Sequence, residues 1–134
     1  MSAAGPVPAA FAALGEASFV SLTTYRRSGA AVSTPVWVAA DGDDLVVLTP
    51  SASGKVNRLR HDARVELRPC SRRGAVAPDA PTVAGRAAVE PASVEHVRGL
   101  VKAKYGLEYR VFMLVERIIA RGEQERLGLR ITPA

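Results

Sequence analysis

From Ser18 to Tyr25 the chain is rich in β-branched and aromatic residues with partial alternation, and Arg26-Arg27-Ser28-Gly29 follows as a turn. That pattern predicts a first strand. From Ala31 to Ala40 the alternation is regular, with Val32, Thr34, Val36 and Val38 on one face and Ser33, Pro35, Trp37 and Ala39 on the other. A second strand is expected there, closed by the tight-turn signature Asp41-Gly42-Asp43. Asp44 to Thr49 is a short, nearly continuous apolar run, which reads as the third strand of a meander with both faces covered. Three antiparallel strands in succession point to a barrel or a sandwich. Upstream, Phe11, Leu14 and Phe19 predict a short helix leading into the first strand, with Gly15 as its stop, and the segment before Pro8 is expected to be mobile.

Pro50 to Gly54 breaks the third strand, and Lys55-Val56-Asn57-Arg58-Leu59-Arg60 predicts about two helical turns with Ser53 placed to cap them. Ala63 to Cys70 alternates again, with Pro69 limiting what that strand can donate. After a loop from Ser71 to Pro81, a further strand is expected from Thr82 to Val89, with Gly85 as a bulge or a point of close approach. Pro91 opens a helix whose apolar stripe is Val94, Val97, Val101 and Tyr105, ended by Gly106. Leu107 to Arg121 continues as a second helix, with Val111, Leu114, Val115 and Ile118 expected to face the protein. Leu127, Leu129 and Ile131 alternate with Gly128, Arg130 and Thr132 as a last strand. No solenoid repeat is visible.

Length and composition narrow this picture. A chain of 134 residues, 48% of them in the hydrophobic set and 23% charged, matches one globular domain over 1–134 without disulfide or metal staples. The run of large apolar residues from Val111 to Val115, ended by Glu116, is far short of a bilayer span, and the opening residues have no basic stretch ahead of an apolar one. A cytoplasmic protein is expected. Cys70 is the single cysteine, and the two histidines share no ligand spacing, so neither a disulfide nor a metal site is expected. The net charge of +5 rests on 18 basic residues, of which only Lys55, Lys102 and Lys104 are lysine. Anionic partners are favoured, but the arginines are scattered and not interleaved with aromatics, so a small phosphorylated ligand accounts for the charge as well as nucleic acid does.

The stretch Thr49-Pro50-Ser51-Ala52-Ser53-Gly54-Lys55 is the most informative, because a strand end there feeds a helix start. A lysine in a first helical turn opposes the macrodipole unless an anion is bound nearby. Ser53 can cap or donate, Gly54 lets a ligand approach the backbone, and Lys55 supplies the charge. An ordinary capped helix with a solvated lysine is the competing reading. In Thr34-Pro35-Val36-Trp37 the proline favours an edge or a bulge and leaves neighbouring backbone groups free for a planar guest. Trp37 would wall such a pocket, or serve simply as core. His61 and His96 have no Ser, Cys or carboxylate partner at a diagnostic spacing, Cys70 reads as a buried inert thiol, and there is no Walker or Gly-x-Gly-x-x-Gly motif. No catalytic side chain is assigned.

Taken in order, Ser21-Leu22-Thr23-Thr24-Tyr25-Arg26, Ser33-Thr34-Pro35-Val36-Trp37, Leu48-Thr49, Ser53-Gly54-Lys55-Val56, Leu59-Arg60 and Pro69-Cys70-Ser71-Arg72-Arg73-Gly74 resemble the pyridoxamine 5'-phosphate oxidase-like split β-barrel proteins. The narrower similarity is to their actinobacterial branch of deazaflavin (coenzyme F-420) dependent enzymes. The resemblance implies a mainly β fold, a six-stranded antiparallel split barrel of the FMN-binding type with flanking helices, forming a homodimer with cofactor sites between subunits. It maps the cofactor phosphate onto Thr49, Ser53, Gly54 and Lys55, and the ring onto Thr34, Pro35, Val36 and Trp37. It also brings the Cys70 to Gly74 turn to the partner subunit's site, where Arg72 meets the anionic tail. The activity implied is hydride transfer between F-420 and a small organic substrate. FMN is the alternative cofactor, and cofactor binding without catalysis a further alternative. Pyridoxamine phosphate oxidase activity itself is not expected, because that enzyme's extended C-terminal substrate-binding region is not found here.

Overall fold

Alternation from Ala31 to Ala40 predicts one strand, and the chain divides it at Trp37 and Val38 into β2 (Ala31–Val36) and β3 (Ala39–Asp41). The computed structural model describes residues 8–120 and 125–134; the lead-in expected to be mobile lies outside them, apart from Pro8 itself. The remaining elements are α1 (Ala9–Leu14), β1 (Val20–Tyr25), β4 (Asp44–Pro50), α2 (Gly54–His61), β5 (Arg64–Pro69), β6 (Val83–Glu90), α3 (Val94–Tyr105), α4 (Leu107–Ala120) and β7 (Arg126–Pro133). Pro91–Ser93 form a single 3-10 turn ahead of α3. Dividing the second segment turns the six expected strands into seven.

All seven lie in one antiparallel sheet of order β2-β1-β5-β6-β7-β4-β3. Both pairings of the expected meander are present, β1 with β2 and β3 with β4, but the division of its middle strand sets them at opposite ends of the order, and β4 pairs also with β7. Two residues join the strands at opposite ends of this order, and so short a link reaches only about 10 Å. The sheet must curl until its edges nearly meet, a half-barrel closed by the chain rather than by a ladder. Pro35 stands on the end strand β2, where a missing donor costs nothing to a second neighbour.

Inside the curl Phe11, Leu14, Val20, Leu22, Leu45, Val47, Leu67, Leu129 and Ile131 pack as the main core. On the outer face Ala39 and Val46 meet Val97, Val101, Tyr105 and Tyr109. Residues of β4 thus enter both clusters, as its unbroken apolar run requires. The division at Val38 removes that residue from any ladder, and the end of α3 supplies the missing partners. Tyr105 Oη accepts from the Val38 N–H at 3.1 Å and donates to the Ser18 carbonyl at 2.8 Å. Lys104 Nζ donates to the carbonyls of Gly15, Ala17 and Val38 at 2.8, 2.7 and 2.6 Å. These bonds tie α3 to the seam of the half-barrel.

Gly85 is a point of close approach: a Cβ there would lie 2.9 Å from the Thr132 carbonyl oxygen and 3.2 Å from Ile131 Cγ2. Backbone of a paired strand cannot step aside cheaply. Gly85→Val is expected to lower the stability to urea unfolding by about 3 kcal/mol. An unchanged midpoint would show that β6 and β7 yield at that position.

At the β3–β4 corner Arg130 donates to Asp41, Asp44 and Glu90 at 2.8, 3.0 and 3.0 Å, and His96 Nε2 lies 3.0 Å from the same Asp41 oxygen. Hydrogen bonding from Arg130, then from His96, holds the Asp41 carboxyl below its ordinary value of 3.8. A carboxyl whose folded pKa is depressed stabilises the fold above the unfolded value, and that contribution is lost as pH falls through the folded one. The stability difference between the wild type and Arg130→Gln should accordingly be greatest at neutral pH and shrink below about pH 4. Urea titrations of both proteins at pH 7 and pH 3 check this, and a gap that widens in acid would refute it.

The second helix departs most from expectation. Val111, Leu114, Val115 and Ile118, expected to face the protein, are all exposed, as are Leu107 and Phe112; Leu107 and Ile118 keep 75% and 71% of their accessible surface. Of its described side chains only Tyr109 is buried. The arginine that ended the predicted helix, Arg121, lies outside the described residues. No helix among the described residues is long and apolar enough to cross a membrane.

Candidate functional site

Where the sheet edges meet, α3 packs on the strands while α4 stands off them, and a groove of about 1150 Å³ is left between. Pro35, Val36 and Trp37 enter it from the end of β2, Leu48, Thr49 and Pro50 from β4, and Lys55 from the first turn of α2. The strand division places Trp37 there, since its neighbours on both sides are committed to the core. Its ring stacks on Tyr105 with centroids 4.6 Å apart and planes 14° apart, and tilts against Phe112 at 5.3 Å and Tyr109 at 6.5 Å. Trp37 is thus both packed and groove-lining, so the two readings of it merge.

Lys55 is half-buried, and neither a hydrogen bond nor an ion pair engages its ammonium among the described residues. Burial, then the nearby Arg58 guanidinium, lowers its pKa from the ordinary 10.5. The protein therefore holds a destabilised cation in the lining of a largely apolar groove, an arrangement that an anion would relieve.

Other expected site residues are placed differently. Ser53 has the extended backbone of an N-cap but makes no cap bond; its hydroxyl lies 3.3 Å from that of Thr49. A Cβ at Gly54 would lie 2.6 Å from an Arg58 terminal nitrogen, so the chain's own guanidinium occupies the approach expected for a ligand. Arg58 is held there by its Nε–H bond to Thr24 Oγ1 at 2.6 Å. Thr34 stands opposite Leu22 in the ladder and faces the core, with its hydroxyl buried and without a hydrogen-bond partner among the described residues. Of the nine expected residues, the groove gathers Pro35, Val36, Trp37, Thr49, Lys55 and Arg72; Thr34, Ser53 and Gly54 do not line it.

Arg72 lines this chain's own groove rather than projecting away from it. Gly74, at φ +89°, lets the turn fold back until a Cβ there would touch Pro35 at 3.7 Å. The Arg72 guanidinium then lies 5.9 Å from the Phe19 ring centre and 3.6 Å from the Glu108 carboxylate across the groove mouth.

Sequence reasoning missed the wall built by Phe19, Leu48, Tyr105, Tyr109 and Phe112. Tyr105 stood in the apolar stripe of α3, but nothing local says that a stripe residue also faces a cavity. It also missed Glu116 and Arg126, a largely buried ion pair that joins α4 to β7 in the groove lining; one Glu116 oxygen has no hydrogen-bond partner among the described residues. Neither histidine lines the groove, and the Cys70 thiol, pushed up by burial, stands outside it. The arrangement offers a largely apolar, aromatic-walled slot with a half-buried cation in its lining, and among the described residues lining it no nucleophile is paired with a base.

Residues 7–134 match the family described as pyridoxamine 5'-phosphate oxidase. A search of curated protein sequences finds no match. Among solved structures, the fold is similar to a conserved hypothetical protein from Mycobacterium tuberculosis, at 22% identity over 90% of this chain and 75% of that one, with a TM-score of 0.64. It is also similar to an F420 reductase, at 17% identity, 96% of each chain and a TM-score of 0.59. The heme storage protein HutZ from Vibrio cholerae is similar at 14% identity over 89% and 83%, with a TM-score of 0.62.

Proposed function

The chain belongs to the pyridoxamine 5'-phosphate oxidase family and has its split-barrel fold, and from that premise we propose that it is an oxidoreductase using a phosphate-bearing tricyclic cofactor. The cofactor is coenzyme F-420, with FMN as the alternative, and the substrate is a small organic molecule. One observation carries this reading: a half-buried Lys55, without a partner among the described residues, and a stacked aromatic wall share a single groove.

The residues present fit such a group. Lys55, with the Thr49 hydroxyl beside it, would hold the phosphate by charge-assisted bonds. Pro35, Val36 and Trp37 would lie against the ring, and Arg72 at the mouth would meet acidic groups beyond the phosphate once released from Glu108. A bound ring of this kind supplies hydride transfer. The protein's own work is then orientation and exclusion of water, both done by the apolar wall. F-420 is preferred to FMN on the sequence resemblance, and the fold likeness to an F420 reductase supports it. The exposed face of α4, which borders the groove, supports a homodimer with the groove at its seam.

Parallel titrations with F-420, FMN and riboflavin, read by fluorescence, test the reading. F-420 should bind most tightly, and riboflavin, which lacks the phosphate, at least about tenfold more weakly than FMN. Failure of both phosphate-bearing rings to bind would overturn the proposal.

A further inference from the structure

A second cavity, of about 500 Å³, opens between α3 and α4, with Tyr109 and Met113 as a wall shared with the groove. Arg98 and Lys102 face it from α3, Arg110 and Arg117 from α4, and among the described residues lining it the one carboxylate, Glu95, is 3.5 Å from Arg98. The side chains of Lys102 and Arg110 have no hydrogen-bond or ion-pair partner among the described residues. Residues four and seven apart share a helix face, so each helix turns a row of cations toward the other. Lys102 and Arg110 thus face one cleft without a partner among the described residues, and negative charge placed between them would relieve their repulsion.

The floor is different in character. Tyr109 is buried and its hydroxyl accepts from an Arg98 guanidinium at 3.2 Å, which fixes one cation at the base of the cleft beside Met113 and Leu114. No exposed aromatic ring lines the cleft, so it offers no platform for stacking bases, and its size suits a small molecule rather than a strand. We propose that the α3–α4 cleft binds a compact polyanion, a molecule carrying several phosphates or carboxylates within a few ångströms of one another. The site is separate from the groove and does not depend on what the groove binds.

Amide shift mapping with inorganic tripolyphosphate at about 0.15 M salt, where long-range attraction is screened, tests this. The wild type and Lys55→Gln should both show saturable shifts in residues 98–102 and 110–117. Replacing Lys102 and Arg110 together by glutamine should weaken that binding at least about tenfold while leaving the rest of the spectrum unchanged. Lys102→Gln alone, on an exposed side chain, serves if the double variant does not fold. Shifts confined to the start of α2, shifts spread evenly over all surface cations, or an unweakened variant would each refute the site.

Discussion

Lys55→Gln is expected to weaken F-420 or FMN binding by roughly tenfold to a hundredfold, the range for one charge-assisted bond to a phosphate, without lowering the unfolding midpoint. The second half of that expectation follows from the state of the side chain. Burial and Arg58 both disfavour the charged ammonium, and nothing in the described residues compensates it. Removing the charge therefore removes a cost to the free protein while removing the ligand's counter-ion. An effect on affinity without loss of stability marks a binding residue, whereas parallel loss of both would mark a structural one.

Alkaline pH gives an independent reading of the same group. An anion beside Lys55 raises its pKa, so the value in the complex exceeds the lowered value in the free protein. Below the free-protein value the lysine is charged in both states and affinity is flat with respect to it. Between the two values binding takes up a proton, and affinity should fall by about tenfold per pH unit in the wild type and remain flat in Lys55→Gln. Parallel profiles for the two proteins would place the phosphate elsewhere.

How far the sequence carries depends on which interactions are periodic. The strands were legible because a half-buried sheet writes its faces into alternation, and Gly85 because close packing of β6 on β7 leaves no room for a side chain. The division of the second strand was not. Val38 and Ala39 are buried in succession, so the alternation slips by one residue there, but a run of valine and alanine hides the slip. At the site, Lys55 and Pro35 were readable from local conflicts, a cation at a helix start and a proline in a strand. Thr34 and Gly54 are not brought to the groove, because a cross-strand neighbour and a guanidinium four residues on decide their surroundings, and neither is a local matter. The stripe on α4 was read correctly as apolar and assigned wrongly to the interior, since periodicity reports a face and not what covers it.

What covers that face leads to the other large effect. Leu107, Val111 and Ile118, spaced four and seven apart, form one exposed stripe with Leu114 and Val115 at its sides. Contiguous apolar surface of this kind on a folded chain marks an interaction site. A second copy meeting it α4 to α4 across a twofold axis would cover both stripes and wall the open side of both grooves, because Val111 and Val115 border stripe and groove alike. An isologous interface carries any substitution twice. Ile118→Asp should therefore cost about 2 kcal/mol per copy for a buried charge, about 4 kcal/mol in all, and raise the dimer dissociation constant roughly a thousandfold. Ile118 does not line the groove, so its replacement leaves the ligand contacts of the single chain intact. Sedimentation should show the wild type as a dimer and Ile118→Asp as a folded monomer. If the groove is completed by the second chain, that monomer will also bind the cofactor more weakly, and full affinity in a folded monomer would confine the site to one subunit. A variant that remains dimeric would assign the stripe to another partner.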